Sequence, residues 1–165
     1  MASTSRSLSN LLSRVGYISK GLTKPQLLRD LIKSASPSFG APYSISFAAA
    51  AGGANVSEVT ITVKDANGDT LAGVYNLDVW LSDAATGAGL TGTSASGTVT
   101  AKAASGAVVG TYEAKKALRV QTLATGVFIL EITDTAKTAF YVCAALPTSG
   151  EAQIATVLAT ADYGA

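Results

Sequence analysis

The chain has 165 residues and a net charge of +1, enough for one domain with a real core. Apolar residues make up 48% of it and charged residues only 14%, against roughly 25% in an ordinary globular domain. That balance excludes a disordered polyampholyte, and the complete lack of histidine removes the commonest general base, the Ser-His and Cys-His nucleophile pairs and most zinc sites.

The net charge hides a split. Residues 1–40 hold six basic residues (Arg6, Arg14, Lys20, Lys24, Arg29 and Lys33) against Asp30, a net of +5. The remaining residues hold six basic and ten acidic side chains, a net of −4. A basic arm on an acidic body is a docking pattern. The competing reading is two amphipathic helices with their charges in water.

Leu8, Leu11, Leu12 and Val15 fall at the spacing of one helix face. Gly16 and Gly21 interrupt the pattern. Thr23 then reads as an N-cap with Pro25 in the first turn, where its missing N–H does no harm. Leu27, Leu28, Leu31 and Ile32 form a second apolar stripe, Lys33 favours the helix end, and Pro37 and Pro42 stop it. Neither helix is long enough to be stable alone, so each is expected to pack on something else. The expected partner-binding residues of this arm are Arg6, Leu8, Leu11, Leu12, Arg14, Lys20, Lys24, Leu27, Leu28, Arg29, Leu31, Ile32 and Lys33. Residues 34–55 read as a linker with one short extended piece, Tyr43–Phe47.

From Val56 the apolar period changes to two, giving a strand that ends at Lys64. Asp65-Ala66-Asn67-Gly68-Asp69 carries the Asn-Gly hairpin signal. Its faint likeness to a calcium loop fails, because glycine is fourth rather than sixth and the twelfth residue is Asn76 rather than Glu. In the next strand, 74–81, Tyr75, Leu77, Val79 and Leu81 share one face, with Val74 and Trp80 opposite. Trp80 reads as a core anchor, with a sugar-stacking platform as the functional alternative. Residues 83–97 are a Gly- and Ala-rich loop. Strand signals follow at 98–102, 117–122, 126–133, 138–145 and 152–160, with turns at 124–126 and 147–150. Lys115, Lys116 and Arg119 read as a lysine-guarded strand edge. Without interleaved aromatics they do not suggest nucleic-acid binding. Cys143 excludes an intrachain disulfide and reads as a small buried hydrophobe.

About seven short strands imply a mainly β chain, an antiparallel sandwich over 44–165 behind an arm of two short helices over 1–43. The acids fall in turns (Asp65, Asp69, Asp83, Asp134) or strands (Asp78, Glu131), and nothing pairs two of them for catalysis. The expectation is a non-enzyme with no cofactor and no metal. No apolar stretch reaches the roughly 18 residues of a membrane span. The N-terminus lacks the continuous apolar region of a secretory signal.

The run Val59-Thr60-Ile61-Thr62-Val63-Lys64-Asp65-Ala66-Asn67-Gly68-Asp69-Thr70-Leu71-Ala72-Gly73-Val74 resembles the opening of bacterial and phage immunoglobulin-like domains. Thr125-Gly126-Val127-Phe128-Ile129-Leu130-Glu131-Ile132 looks like their late strand. The insertion-rich stretch 83–116 departs from the usual spacing. From Val56 onward, with Leu77–Gly87 and Lys115–Thr122, the chain also looks like small structural proteins of tailed-bacteriophage virions. That resemblance implies a virion protein, assembled in the bacterial cytoplasm, that binds the major capsid protein or another virion protein. It would be a homo-oligomer or present in many copies per particle, without nucleic acid or membrane as partner. The leading expectation is a capsid decoration (cement) protein held by its arm, where many weak contacts act by avidity. The alternative is a tail or head-fibre adhesin that binds a host receptor through Trp80 or the 83–97 loop. A lone module of a bacterial surface protein is disfavoured by the missing secretion signal.

Overall fold

The computed structural model describes residues 41–146 and 152–165, with residues 152–157 described by their backbone. The expected arm helices therefore lie outside the described residues. Contacts group Gly40–Ala165 into one compact unit.

The chain is mainly β, with nine strands among the described residues: β1 (Ser44–Ala51), β2 (Val56–Lys64), β3 (Asn76–Ser82), β4 (Val99–Ala101), β5 (Ala107–Glu113), β6 (Ala117–Gln121), β7 (Val127–Thr133), β8 (Tyr141–Ala145) and β9 (Ala152–Val157). One turn of 3-10 helix, Thr160–Asp162, follows. The strands form two antiparallel sheets. The first has the order β1-β2-β7-β4 and the second β5-β6-β3-β8-β9.

Period-two patterning explains which side each strand buries. In β2, Ser57, Val59, Ile61 and Val63 point inward, and in β7 Phe128, Leu130 and Ile132 do so. From the second sheet come Leu77, Val79, Leu81, Leu118, Val120, Val142 and Ala144. All but Ser57 belong to one cluster, so the two sheets pack face to face on a shared core. Leu158 and Tyr163, beyond β9, complete it. The Tyr163 hydroxyl donates to the Thr138 carbonyl at 2.9 Å, and burial raises its pKa well above the ordinary value.

Several expectations change. The 34–55 linker contains the eight-residue strand β1, whose Ile45, Phe47 and Ala49 sit opposite Val63, Ile61 and Val59. The Asp65–Asp69 segment is a tight turn, closed by Gly68 N–H on the Asp65 carbonyl and Asp65 N–H on the Asp69 carbonyl, each 3.0 Å. It is not a hairpin between β2 and β3, because those strands belong to different sheets. Residues 70–75 carry the chain across instead. They pass so close to Gly126 (φ +77°) that a Cβ there would collide with the Leu71 carbonyl. Strand β5 was not expected at all. Lys115, Lys116 and Arg119 do not guard an edge, since β6 lies between β5 and β3. In the stretch 83–116, the chain leaves β3, forms the edge strand β4 of the first sheet, and crosses back to the outer edge of the second as β5.

Candidate functional site

The thirteen arm positions from Arg6 to Lys33 expected to bind a partner lie outside the described residues. Within the body, chemistry gathers on the outer face of the second sheet. Because Leu77, Val79 and Leu81 of β3 point inward, Asn76, Asp78 and Trp80 point out. Leu118 and Val120 likewise turn Arg119 and Gln121 of β6 outward.

The antiparallel register sets Asp78 opposite Arg119 and Asn76 opposite Gln121. Arg119 grips Asp78 with two bonds, Nε to Oδ1 at 2.9 Å and Nη2 to Oδ2 at 3.1 Å. The Tyr112 hydroxyl of β5 donates to Asp78 Oδ1 at 2.8 Å, and the Arg119 guanidinium lies 5.6 Å from the Tyr112 ring centroid. Gln121 Nε2 donates to Asn76 Oδ1 at 3.3 Å. The Arg119 hydrogen bond, helped by Tyr112 and opposed by partial burial, lowers the Asp78 pKa. The same contacts raise those of Tyr112 and Arg119. Every oxygen of this carboxylate therefore has a donor.

Four large apolar side chains in or beside these strands in sequence are exposed: Val74 (57% exposed) before β3, Leu123 (40%) after β6, and Val109 (49%) and Tyr112 (60%) in β5. Val74 and Leu123 flank Tyr75 and Thr122, which are tied by Tyr75 N–H to Thr122 Oγ1 and Thr122 N–H to the Tyr75 carbonyl, both 2.9 Å. Val109 and Tyr112 are the extra residues at two bulges in β5.

Trp80 is not a core anchor. It lies half-buried on the outer face, and its Nε1 donates to the Gly87 carbonyl at 3.0 Å. The 83–97 loop that supplies this carbonyl is stitched down along its length. Ser82 Oγ donates to the Ala88 carbonyl at 3.2 Å, and Thr91 N–H to the Leu81 carbonyl at 2.8 Å. Asp83 accepts from the Thr91 hydroxyl at 2.6 Å and from Gly92 N–H at 2.8 Å, which lower its pKa in that order. Lys115 Nζ caps the Ala95 and Ser96 carbonyls.

The loop ends on Asp134, a carboxylate only 1% exposed. It accepts from the amides of Ser96 (3.1 Å), Ala136 (3.4 Å) and Thr138 (2.8 Å). Burial would raise its pKa, but the hydroxyl and amide of Thr138, with those of Ser96, hold it well below the usual carboxylate range. Cys143 is buried as expected, opposite Trp80 in the register.

Among the described residues, no group of three or more His, Cys, Asp or Glu side chains could hold a metal ion, and no helix is long and apolar enough to cross a membrane. Sequence reasoning had placed Asp78 in a strand and Arg119 in a basic cluster, but had not joined them or noticed Tyr112. Only the β3–β6 register brings them together.

No family model, no curated protein and no solved structure matches the chain.

Proposed function

We propose that the protein is a structural component of a tailed-bacteriophage virion, of the capsid decoration or cement type, without enzymatic activity. Its N-terminal arm binds the major capsid protein and its body is an immunoglobulin-like sandwich. The observation that carries this reading is the charge split, +5 over residues 1–40 and −4 over the rest, together with two apolar stripes too short to stand alone. The arm's leucines fill grooves on the shell and its arginines and lysines meet acidic capsid residues.

The strand order supports the immunoglobulin-like part. In space, β1-β2-β7-β4 and β5-β6-β3-β8-β9 correspond to the two sheets of a variable-type domain. The chain order departs from that type twice, because the edge strand β4 precedes β5 and β6 instead of following them, and the edge strand β5 precedes its inner neighbour β6. The adhesin alternative rests on Trp80 or the 83–97 loop. The indole N–H is already bonded to Gly87 and the loop is tied at Asp83, Thr91 and Ser96, which favours the cement reading.

Deletion of residues 1–36 tests it. Co-sedimentation with empty capsids is expected to fall at least about tenfold, the loss of a multivalent anchor. Binding equal to that of the full chain would show that the arm is not the anchor.

A further inference from the structure

We propose that Asn67 is a self-modification site, where the chain converts its own side-chain amide to a mixture of aspartate and isoaspartate at a rate set by the Asp65 carboxylate. The reaction needs the backbone nitrogen of the following residue to reach the asparagine side chain. Of the four asparagines, Asn10, Asn55 and Asn76 precede Leu11, Val56 and Leu77, whose side chains crowd that nitrogen. Only Asn67 precedes a glycine. Gly68 is exposed, at φ +80°. Among the described residues, nothing but its chain neighbours comes within 4 Å of where a Cβ would stand, so a ring has room to close there.

The chemistry uses water as its only co-reactant. The Gly68 nitrogen attacks Asn67 Cγ, forming an N–Cγ bond and giving its proton to solvent. The Cγ–Nδ2 bond breaks, and Nδ2 leaves as ammonia with a proton taken from solvent. Water then opens the cyclic imide. Opening at Cγ gives aspartate, and opening at the main-chain carbonyl gives isoaspartate, whose backbone is one carbon longer. Nothing is oxidised or reduced: one water is consumed and one ammonia is released. Either product adds a negative charge to a turn that already holds Asp65 and Asp69. The longer backbone of isoaspartate also displaces Gly68 from the Asp65 carbonyl that closes the turn.

The folded turn restrains this reaction through Asp65. Gly68 N–H donates to the Asp65 carbonyl at 3.0 Å, so the attacking nitrogen must first leave that bond. Asp65 Oδ1 accepts from the amides of Asn67 at 2.8 Å and Asp69 at 3.0 Å, which pins the backbone on both sides of Gly68. Asn67 Nδ2 donates to Asp65 Oδ2 at 3.4 Å, so the leaving group is tethered to the same carboxylate. Swinging the Asn67 side chain toward Gly68 breaks that tether. Removing the carboxylate therefore releases backbone and side chain together and leaves the Asn-Gly pair itself unchanged.

This inference does not rest on the capsid reading, and its test is separate from the arm deletion. The full-length chain is incubated at mildly alkaline pH. Conversion is followed by the mass gain of the peptide that contains residue 67, localised by fragmentation, and by isoaspartyl methyltransferase labelling. Circular dichroism verifies folding. The native wild type is expected to convert slowly at Asn67 and not at Asn55 or Asn76. Folded Asp65→Ala is expected to convert about tenfold faster, the effect of losing hydrogen bonds that the reaction must otherwise break. Asp65→Ser, whose hydroxyl accepts one amide, is expected to fall between them and serves if Asp65→Ala fails to fold. In guanidinium chloride the wild type and the Asp65 variants are expected to convert alike, since the turn is gone. Asp134→Ala loosens the body near Asn55, at the far end of β2, and is expected to leave the native rate unchanged. A native chain with no conversion at Asn67 overturns the proposal. So do folded Asp65 variants that convert at the wild-type rate, or an Asp134→Ala chain that speeds up as much as they do.

Discussion

The two outer faces of the body use the same backbone geometry and opposite electrostatics. On the second sheet the register sets Asp78 against Arg119, and Tyr112 adds a third hydrogen bond. On the first sheet it sets Glu58 directly against Glu131, like against like. Among the described residues, only Glu58 gains a cation there, Lys102 Nζ at 2.5 Å. The surrounding rows, Ser46–Thr62–Val127 and Ala48–Thr60–Ile129, are built from small and β-branched side chains. The second face is also partly roofed, by the 83–97 loop over Trp80. Burial on the inner sides is equivalent, so the difference teaches that period-two patterning builds the core while register decides what each outer face can do.

The largest way to break this asymmetry is to release the roof. Asp134→Ala removes the acceptor of the Ser96, Ala136 and Thr138 amides and is expected to cost about 3 kcal/mol. The loop end should loosen and Trp80 should become more solvated, shifting its fluorescence to longer wavelength. An unfolding midpoint within error of wild type, with unchanged emission, would show that the loop is held otherwise. The pH sign follows from the depressed native pKa of Asp134. Its contribution is fully present above the unfolded value of about 3.9 and is lost as pH falls below it. Wild-type stability should therefore decline below about pH 4 more steeply than that of Asp134→Ala.

A smaller effect sharpens the comparison at its centre. Asp78→Asn keeps the shape but removes the charge that Arg119 and Tyr112 converge on. The pair is partly solvated, with side-chain exposures of 43% for Arg119 and 31% for Asp78, so the expected loss is only about 1 kcal/mol. Because the Asp78 pKa is lowered in the fold, this loss is expected at neutral pH and should shrink in acid. A double-mutant cycle with Arg119→Met measures the coupling. A coupling energy of zero would mean that the fork contributes nothing to stability.

Much of the core was legible in the sequence, and the outer faces were not. Alternation in Val56–Lys64 and Leu77–Leu81 names the inward residues without any structure, whereas the apolar run Val127–Leu130 marks a strand without naming its inward face. In β1 the alternation fades into alanines after Phe47, which carry little strand signal, so its second half read as linker. Strand β5 was invisible because its two bulges put Val109 and Tyr112 out of phase. Trp80 was assigned to the correct face but the wrong environment, since no local pattern tells that a loop returns to cover it. The Asn-Gly turn was legible as a turn. Whether the next strand stays in the sheet is decided four residues after Asn67, where Leu71 passes Gly126. The Asp78–Arg119–Tyr112 cluster joins three strands across 41 residues of sequence, a spacing that only the register reveals.

The smallest expected effect has the opposite sign, and so probes the first face most directly. Glu131→Gln keeps the side chain's length and its place opposite Glu58 and Thr100 while removing one of two like charges. Because Glu58 retains Lys102, the substitution leaves no cation unpaired in this contact. The solvent that still reaches both carboxylates limits their repulsion, and a gain of about 0.3 kcal/mol is expected at neutral pH. The gain should fade as salt screens the pair. Paired with Asp78→Asn, this makes one chemical change, carboxylate to amide, stabilise one face and destabilise the other. A destabilising Glu131→Gln would mean that Glu131 has a favourable partner of its own, and that the two faces differ less than their registers imply.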